Sequence, residues 1–185
     1  ENSKLREPEL ESYSKILPVN IYVEDSDPDI YNGIDMSESL KARQERYPVL
    51  KKYYDAMDNK YQWVICALPS LAWAKKVFPN DSPKVAYKKL EEAILNTTRI
   101  DNNAVNNWKE HVKTLHEKAN IMNEYNFDYL EYSSSNGTSL KLHLMPNHYW
   151  LSAEENTLGT HIPFIANMPT EEVFTMPKSD GVDGV

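Results

Sequence analysis

The chain has 185 residues and carries 20 Lys and Arg against 28 Asp and Glu, a formal net charge of −8 with neutral histidines. This acidic balance excludes a mainly electrostatic hold on nucleic acid or on an anionic membrane, because both need a basic surface. No apolar run approaches the roughly 20 residues of a membrane-spanning helix, and no apolar leader opens the sequence. The single cysteine, Cys66, lies among apolar residues and is expected to be a buried core residue. We therefore expect a cytoplasmic protein.

The first third of the chain predicts a strand, a helix and a second strand. Residues 19–24 (VNIYVE) are rich in β-branched and aromatic side chains and end at a turn signal. Apolar residues then recur at helical spacing from Ser37, which can cap the helix, to Met57, and Pro48 must kink or split that helix. Residues 61–68 (YQWVICAL) form an apolar run typical of a strand covered on both faces. This order predicts a parallel βαβ unit.

Three more helices are predicted in the middle of the chain. The first covers residues 69–78, and the second starts at Ser82, followed by a proline at a favoured position, and runs to about Thr97. Asp101 can cap the third and longest helix. An apolar stripe with steps of three and four residues predicts that this helix packs on one face; it consists of Ala104, Trp108, Val112, Leu115, Ala119 and Met122.

Beyond residue 126 the apolar period changes to two. Residues 127–144 alternate in polarity on either side of Asn136–Gly137, which predicts an antiparallel β-hairpin, and a further strand is expected near residues 162–166. The predicted fold class is therefore α/β (mixed α+β), with a parallel βαβ portion and helices followed by an antiparallel β-hairpin region. This change of pattern places a boundary between two structural layers near residue 125.

The histidines do not form a recognisable metal motif. His116 opens a sequence like the zinc motif HExxH, but Asn120 stands where the second histidine is needed. His111 and His116 are five residues apart on one helix, about 140° around its axis, so we expect both to be surface or flank residues. The remaining histidines have no partner at ligand spacing; they are His143, His148 and His161.

Two adjacent carboxylates, Glu171 and Glu172, follow Pro169 and Thr170. In an extended segment they point to opposite sides, so one could face a site while the other faces solvent. Taken alone, such a pair is more often a solvated turn or a helix start, and composition favours that interpretation.

Several segments of the chain carry a family resemblance: residues 68–79, 97–99, 108–119, 137–140, the loop Pro146-x-His148-x-Trp150 and residues 163–177 (PFIANMPTEEVFTMP). Together they resemble the dinuclear metallo-aminopeptidases of the aminopeptidase T, aminopeptidase S and PepS group. The resemblance extends over nearly the whole chain from about residue 19, and residues 167–175 are its most specific part. Members of this family are longer at both ends, so the chain is expected to be an internal fragment.

The resemblance implies a function for the parent protein. It would remove N-terminal residues from peptides with the help of two divalent ions (zinc, cobalt or manganese). Glu172 would be a ligand of one of these ions. A bridging glutamate, two histidines and an aspartate would follow downstream, so the chain alone should bind no metal and be inactive. Ser139 stands where the family commonly has aspartate, which leaves the hairpin without an assigned role.

The resemblance also suggests domains and partners. Residues 1–125 would be the helix-rich α/β part of an N-terminal domain, and residues 126–185 the β-rich, truncated start of the catalytic domain. The expected partners are peptide substrates and a second copy in a homodimer, without nucleic acid or membrane. The alternative, supported by composition alone, is a non-catalytic acidic interaction or scaffold domain.

Overall fold

A computed structural model describes residues 2–25 and 27–184, with the backbone alone for residues 2–5. Its helices are α1 (Asn2–Ile16), α2 (Ser37–Met57), α3 (Leu71–Val77), α4 (Pro83–Thr97) and α5 (Ala104–Tyr125). Its strands are β1 (Asn20–Glu24), β2 (Trp63–Ala67), β3 (Tyr129–Ser133), β4 (Ser139–Leu144), β5 (Glu154–Asn156), β6 (Pro163–Ile165) and β7 (Pro177–Gly184). This mixture of helices, a parallel pair and antiparallel strands confirms the predicted fold class.

The chain forms two compact units. The first contains the residues up to 101 together with 155–169, and the second contains residues 102–154 together with those from 170 onward. Helix α5 is therefore grouped with the β-hairpin, and these compact units do not follow the sequence division at residue 125. The assignment of domains within a longer protein stays a prediction.

Strands β1 and β2 of the first unit pair in parallel, with Asn20 opposite Trp63 and Glu24 opposite Ala67. Helix α2 lies between them in the chain and supplies the crossover that a parallel pair needs, so the predicted βαβ unit is confirmed. On its other side β2 bonds to the segment after β6: Ile65 donates to the carbonyl of Ala166 at 2.8 Å and accepts from Met168 at 2.9 Å.

Three details of this unit differ from expectation. Strand β1 is mostly exposed, with Ile21 67% accessible, and Cys66 in β2 is only half-buried, so the pair is not covered on both faces. Helix α2 runs through Pro48 without a split, since the surrounding residues are exposed and water can satisfy the carbonyl that proline leaves unpaired. The alternative, a kink at Pro48, stays a prediction. Ser37 is the first helical residue instead of the cap, and Asp35 accepts its backbone N–H at 2.9 Å.

Two small apolar clusters stabilise the helices of the first unit. Leu10 of α1 packs with Leu50 and Met57 of α2, and Ala74 of α3 packs with Ala86 and Leu90 of α4. The predicted start of α4 is confirmed, since Ser82 precedes the proline that opens the helix. Helix α3 begins at Leu71, two residues later than expected, because the Ser70 hydroxyl accepts from the N–H of Trp73 and caps the helix there.

The second unit is built on a three-stranded antiparallel sheet in the order β3-β4-β7. Strands β3 and β4 form the predicted hairpin, with Tyr129 opposite His143 and Ser133 opposite Ser139. The predicted turn is also confirmed: Gly137 has a φ of 99°, and the Asn136 side chain accepts the N–H of Thr138 at 3.1 Å.

Helix α5 packs against this sheet along its predicted stripe. Ala119 of the stripe is buried with Leu144 of β4 and Trp150, and Leu130 and Val173 pack at the margin of that cluster. The helix begins at Ala104 after Asn103, two residues later than an Asp101 cap would give. In the described part of the chain, no helix combines the length and hydropathy needed to cross a membrane.

Candidate functional site

Residues 170–175, here called the glutamate segment, run along the second unit without regular secondary structure apart from one bridge. Thr170 is 5% exposed at its start, and Val173 packs against the cluster of Ala119, Leu144 and Trp150. Glu171 and Glu172 between them are exposed. The two carboxylates therefore lie between the buried Thr170 and the partly buried Val173.

The start of the glutamate segment is bound to α5 by a histidine. Nε2 of His111 lies 2.7 Å from the carbonyl oxygen of Thr170 and 3.7 Å from a carboxylate oxygen of Glu171. Because a carbonyl oxygen only accepts, Nε2 must carry a hydrogen and donate it. The His111 side chain is 12% exposed, and its ring forms a T-shaped pair with that of Trp108 at a centroid distance of 5.7 Å.

The end of the segment is bound to the loop that follows β4. Phe174 and Leu151 exchange two backbone hydrogen bonds, of 2.8 and 3.0 Å, and the Thr175 hydroxyl donates to the carbonyl of Tyr149 at 2.8 Å. That loop is itself tied to α5, because the Asn123 side chain bonds both backbone groups of Trp150. Helix α5 thus holds the segment at one end directly and at the other through the loop.

The two carboxylates have different surroundings. A carboxylate oxygen of Glu171 lies near His111 of α5, whereas the carboxylate of Glu172 accepts the backbone N–H of Glu171 at 2.9 Å. The Glu172 carboxylate therefore needs no other side chain to hold it, and as an exposed anion it retains lone pairs for a cation.

Two other histidines of the second unit have different contacts. Nδ1 of His148 bonds to the carbonyl of Met145, and the ring of His143 packs against Tyr129 across the hairpin. Among the residues that the structure describes, no three His, Cys, Asp or Glu side chains lie together as a metal-binding group. These residues therefore fit one oxygen ligand of a hard divalent cation, and they do not fit a complete site.

Two residues of this arrangement, His111 and Asn123, are missing from the sequence prediction. His111 was expected on the helix surface, but its side chain is largely buried. The sequence does contain a signal for this burial. His111 follows Trp108 by three residues and precedes Leu115 by four, so the three side chains share one helix face. The short polar side chain of Asn123 carries no comparable signal.

Comparison with known proteins identifies the family. The model of the thermophilic metalloprotease (M29) family matches residues 1–185. Aminopeptidase AmpS of Bacillus subtilis is 38% identical over 167 residues, 89% of this chain and 40% of that protein. Aminopeptidase PepS of Streptococcus thermophilus is 41% identical over 160 residues, 84% of this chain and 38% of that protein.

A solved structure agrees with these relatives. Wild-type AmpT from Thermus thermophilus superimposes with a TM-score of 0.82 at 29% identity, over 98% of this chain and 44% of that chain. The chain spans about two fifths of the length of the curated relatives that it matches. On this evidence the chain belongs to the thermophilic metalloprotease family.

Proposed function

We propose that this chain is part of a longer metal-dependent aminopeptidase that removes N-terminal residues from peptides. Family membership over residues 1–185 is the observation that carries the proposal, and the matched relatives are named aminopeptidases. The same evidence favours an enzyme over a non-catalytic scaffold, the alternative that acidic composition alone supports.

Glu172 is the residue of this chain that we assign to the metal centre. Its carboxylate is exposed and accepts a hydrogen bond from the backbone N–H of Glu171. It can therefore bind a cation without first breaking a buried ion pair. Two divalent ions (zinc, cobalt or manganese) would polarise the scissile carbonyl and activate a water molecule when bound. Glu172 contributes negative charge and a fixed oxygen, and the glutamate segment determines where that oxygen lies.

The remaining ligands belong, in this proposal, to the part of the protein beyond this chain. The described residues offer no group of three ligating side chains, so the isolated chain should neither hold the two ions nor hydrolyse peptides. We further propose that the parent protein is a cytoplasmic homodimer with peptide substrates and without nucleic-acid or membrane partners. The net charge of −8 supports the proposed absence of nucleic-acid and membrane partners.

The test uses the parent protein and paired substrates. An aminopeptidase must recognise a free α-amine, so the parent should cleave leucyl-p-nitroanilide and leave its N-acetylated form intact. A chelator should abolish this activity, and added zinc, cobalt or manganese should restore it. Cleavage of both substrates, or full activity after exhaustive chelation, would contradict the proposal.

A further inference from the structure

We propose that His111 is a positioning residue for the metal centre: its hydrogen bond to the Thr170 carbonyl sets the place of the Glu172 carboxylate. This inference rests on the proposed function, in which Glu172 is a metal ligand. His111 itself is not assigned as a ligand, since its Nε2 is occupied as a donor to that carbonyl at 2.7 Å.

The bond has the features of a fixed contact. Its acceptor belongs to Thr170, which is 5% exposed, and the donor ring is 12% exposed, so water competes poorly for either partner. The ring has little freedom to rotate away, because it packs against Trp108, one turn earlier on α5. His111 therefore connects a long helix to the backbone two residues before Glu172.

The other end of the glutamate segment is also held, so the position of Glu172 is determined from both sides. Val173 packs on the core, and Phe174 pairs with Leu151. Between Thr170 and Val173 only Glu171 and Glu172 lie, each spanning about 3.3 Å of chain. With the His111 bond removed, the start of this stretch keeps the burial of Thr170 but loses its hydrogen bond to α5, and the carboxylate of Glu172 can then be displaced relative to the metals.

The same contact explains the different surroundings of the two glutamates. The Glu171 carboxylate lies 3.7 Å from the donor nitrogen of His111, on the α5 side of the segment. With the segment bonded to α5 at Thr170, the Glu171 side chain lies beside the helix. The Glu172 carboxylate instead accepts the backbone N–H of Glu171, at 2.9 Å. His111 thus selects which of two adjacent carboxylates is available to a cation.

Three replacements in the full-length parent protein test this role. His111→Gln places an amide N–H near the position of Nε2 and should preserve the bond. His111→Asn has a similar amide that is too short to reach Thr170, and His111→Phe keeps a ring against Trp108 without any donor. His116→Phe is the matched control, a half-buried histidine of the same helix five residues away.

The measured quantities are the dissociation constant of Co²⁺, from its visible d–d absorption, and kcat on leucyl-p-nitroanilide. We expect the Asn and Phe variants to raise that dissociation constant about 10-fold or more, the range seen when residues supporting a ligand are removed. The Gln and His116→Phe variants should stay within about threefold of wild type. The unfolding midpoint of the metal-free protein, measured alongside, separates a loss of metal affinity from a general loss of stability.

The Co²⁺ affinities of these variants decide whether His111 positions Glu172. Wild-type Co²⁺ affinity in the Asn variant, or equal losses in the Gln and Asn variants, would overturn the positioning role. If His111→Phe fails to fold, the comparison of Gln with Asn still gives the answer. A Glu172→Gln protein that binds Co²⁺ normally would instead overturn the ligand assignment on which the inference rests, so the two failures are distinguishable.

Discussion

The side-chain amide of Asn123 pairs with both backbone polar groups of Trp150. Its Nδ2 donates to the Trp150 carbonyl at 3.0 Å, and its Oδ1 accepts the Trp150 N–H at 2.7 Å. Trp150 is 5% exposed, so its backbone N–H and carbonyl need partners within the protein. The Asn123 side chain supplies both hydrogen bonds, as a neighbouring β-strand would.

Replacing Asn123 should destabilise the chain. Asn123→Ala leaves a buried N–H and a buried carbonyl of Trp150 without their partner, and each such loss costs about 1–3 kcal/mol. We expect the free energy of unfolding, measured in urea, to fall by about 2 kcal/mol or more. Asn120→Ala, an exposed asparagine of the same helix, is the control and should change it by less than about 0.5 kcal/mol. Equal effects of the two substitutions would show that the amide pairing does not stabilise the fold.

Glu171 and Glu172 should differ in their importance for the proposed activity of the full-length parent protein. Glu172→Gln keeps the size of the side chain but removes the charge that the proposed metal centre needs, and we expect kcat to fall by about 100-fold or more. Glu171→Gln alters a carboxylate that lies near His111, and a loss of less than about tenfold is expected. Steady-state hydrolysis of leucyl-p-nitroanilide at saturating metal measures both. A larger loss at Glu171 would mean that the ligand has been assigned to the wrong carboxylate.

The elements that the sequence predicted well are those with a strong local signal. The hairpin has alternating polarity around Asn136–Gly137, and α5 has an apolar stripe, so local pattern and tertiary packing agree. Strand β7 has no such pattern, since PKSDGVDG combines proline, glycine and aspartate, residues that are unfavourable in strands. It becomes a strand because the exposed edge of β4 pairs with it, as in Leu142 opposite Val182.

The candidate site, like strand β7, depends on tertiary contacts and was therefore only partly predictable from the sequence. The proposed ligand Glu172 is assigned from a family resemblance, whereas its surroundings depend on contacts between residues far apart in sequence. His111 reaches Thr170 across 59 positions of the chain, and Asn123 reaches Trp150 across 27. A single sequence contains no information on such pairs unless local periodicity places both residues on a known face.

The pKa of Asp29 should depend on Lys76. The pKa of Asp29 lies below its ordinary value, chiefly because the Lys76 ammonium donates to both carboxylate oxygens, at 2.7 and 2.9 Å, with Asn32 as a further donor. Lys76→Met should therefore raise the pKa of Asp29 toward that of a free aspartate, which a ¹³C carboxyl titration by NMR measures directly. Lys75→Met is the control, because Lys75 donates to backbone carbonyls instead.

The sign of the linked stability follows from that shift. A carboxyl whose pKa is lowered by folding stabilises the protein above the ordinary aspartate pKa of about 3.9, and this contribution is lost as pH falls through the folded value. Wild type should thus lose stability between about pH 4 and the folded pKa of Asp29, and Lys76→Met should lose less there. Identical acid profiles of the two proteins would show that the contact is absent in solution.

The isolated chain of 185 residues should lack aminopeptidase activity with zinc, cobalt or manganese. One exposed carboxylate cannot hold a pair of divalent ions against competition from water, and in the described residues no other ligating side chains complete a group of three. The measurement is hydrolysis of leucyl-p-nitroanilide by the purified chain at high enzyme concentration, with the full-length parent as positive control in the same metal buffer. Isothermal titration with Co²⁺ should likewise give no saturable binding below about 1 mM. Turnover by the purified chain that a chelator abolishes, and that Glu172→Gln removes, would mean that these residues assemble a working centre on their own.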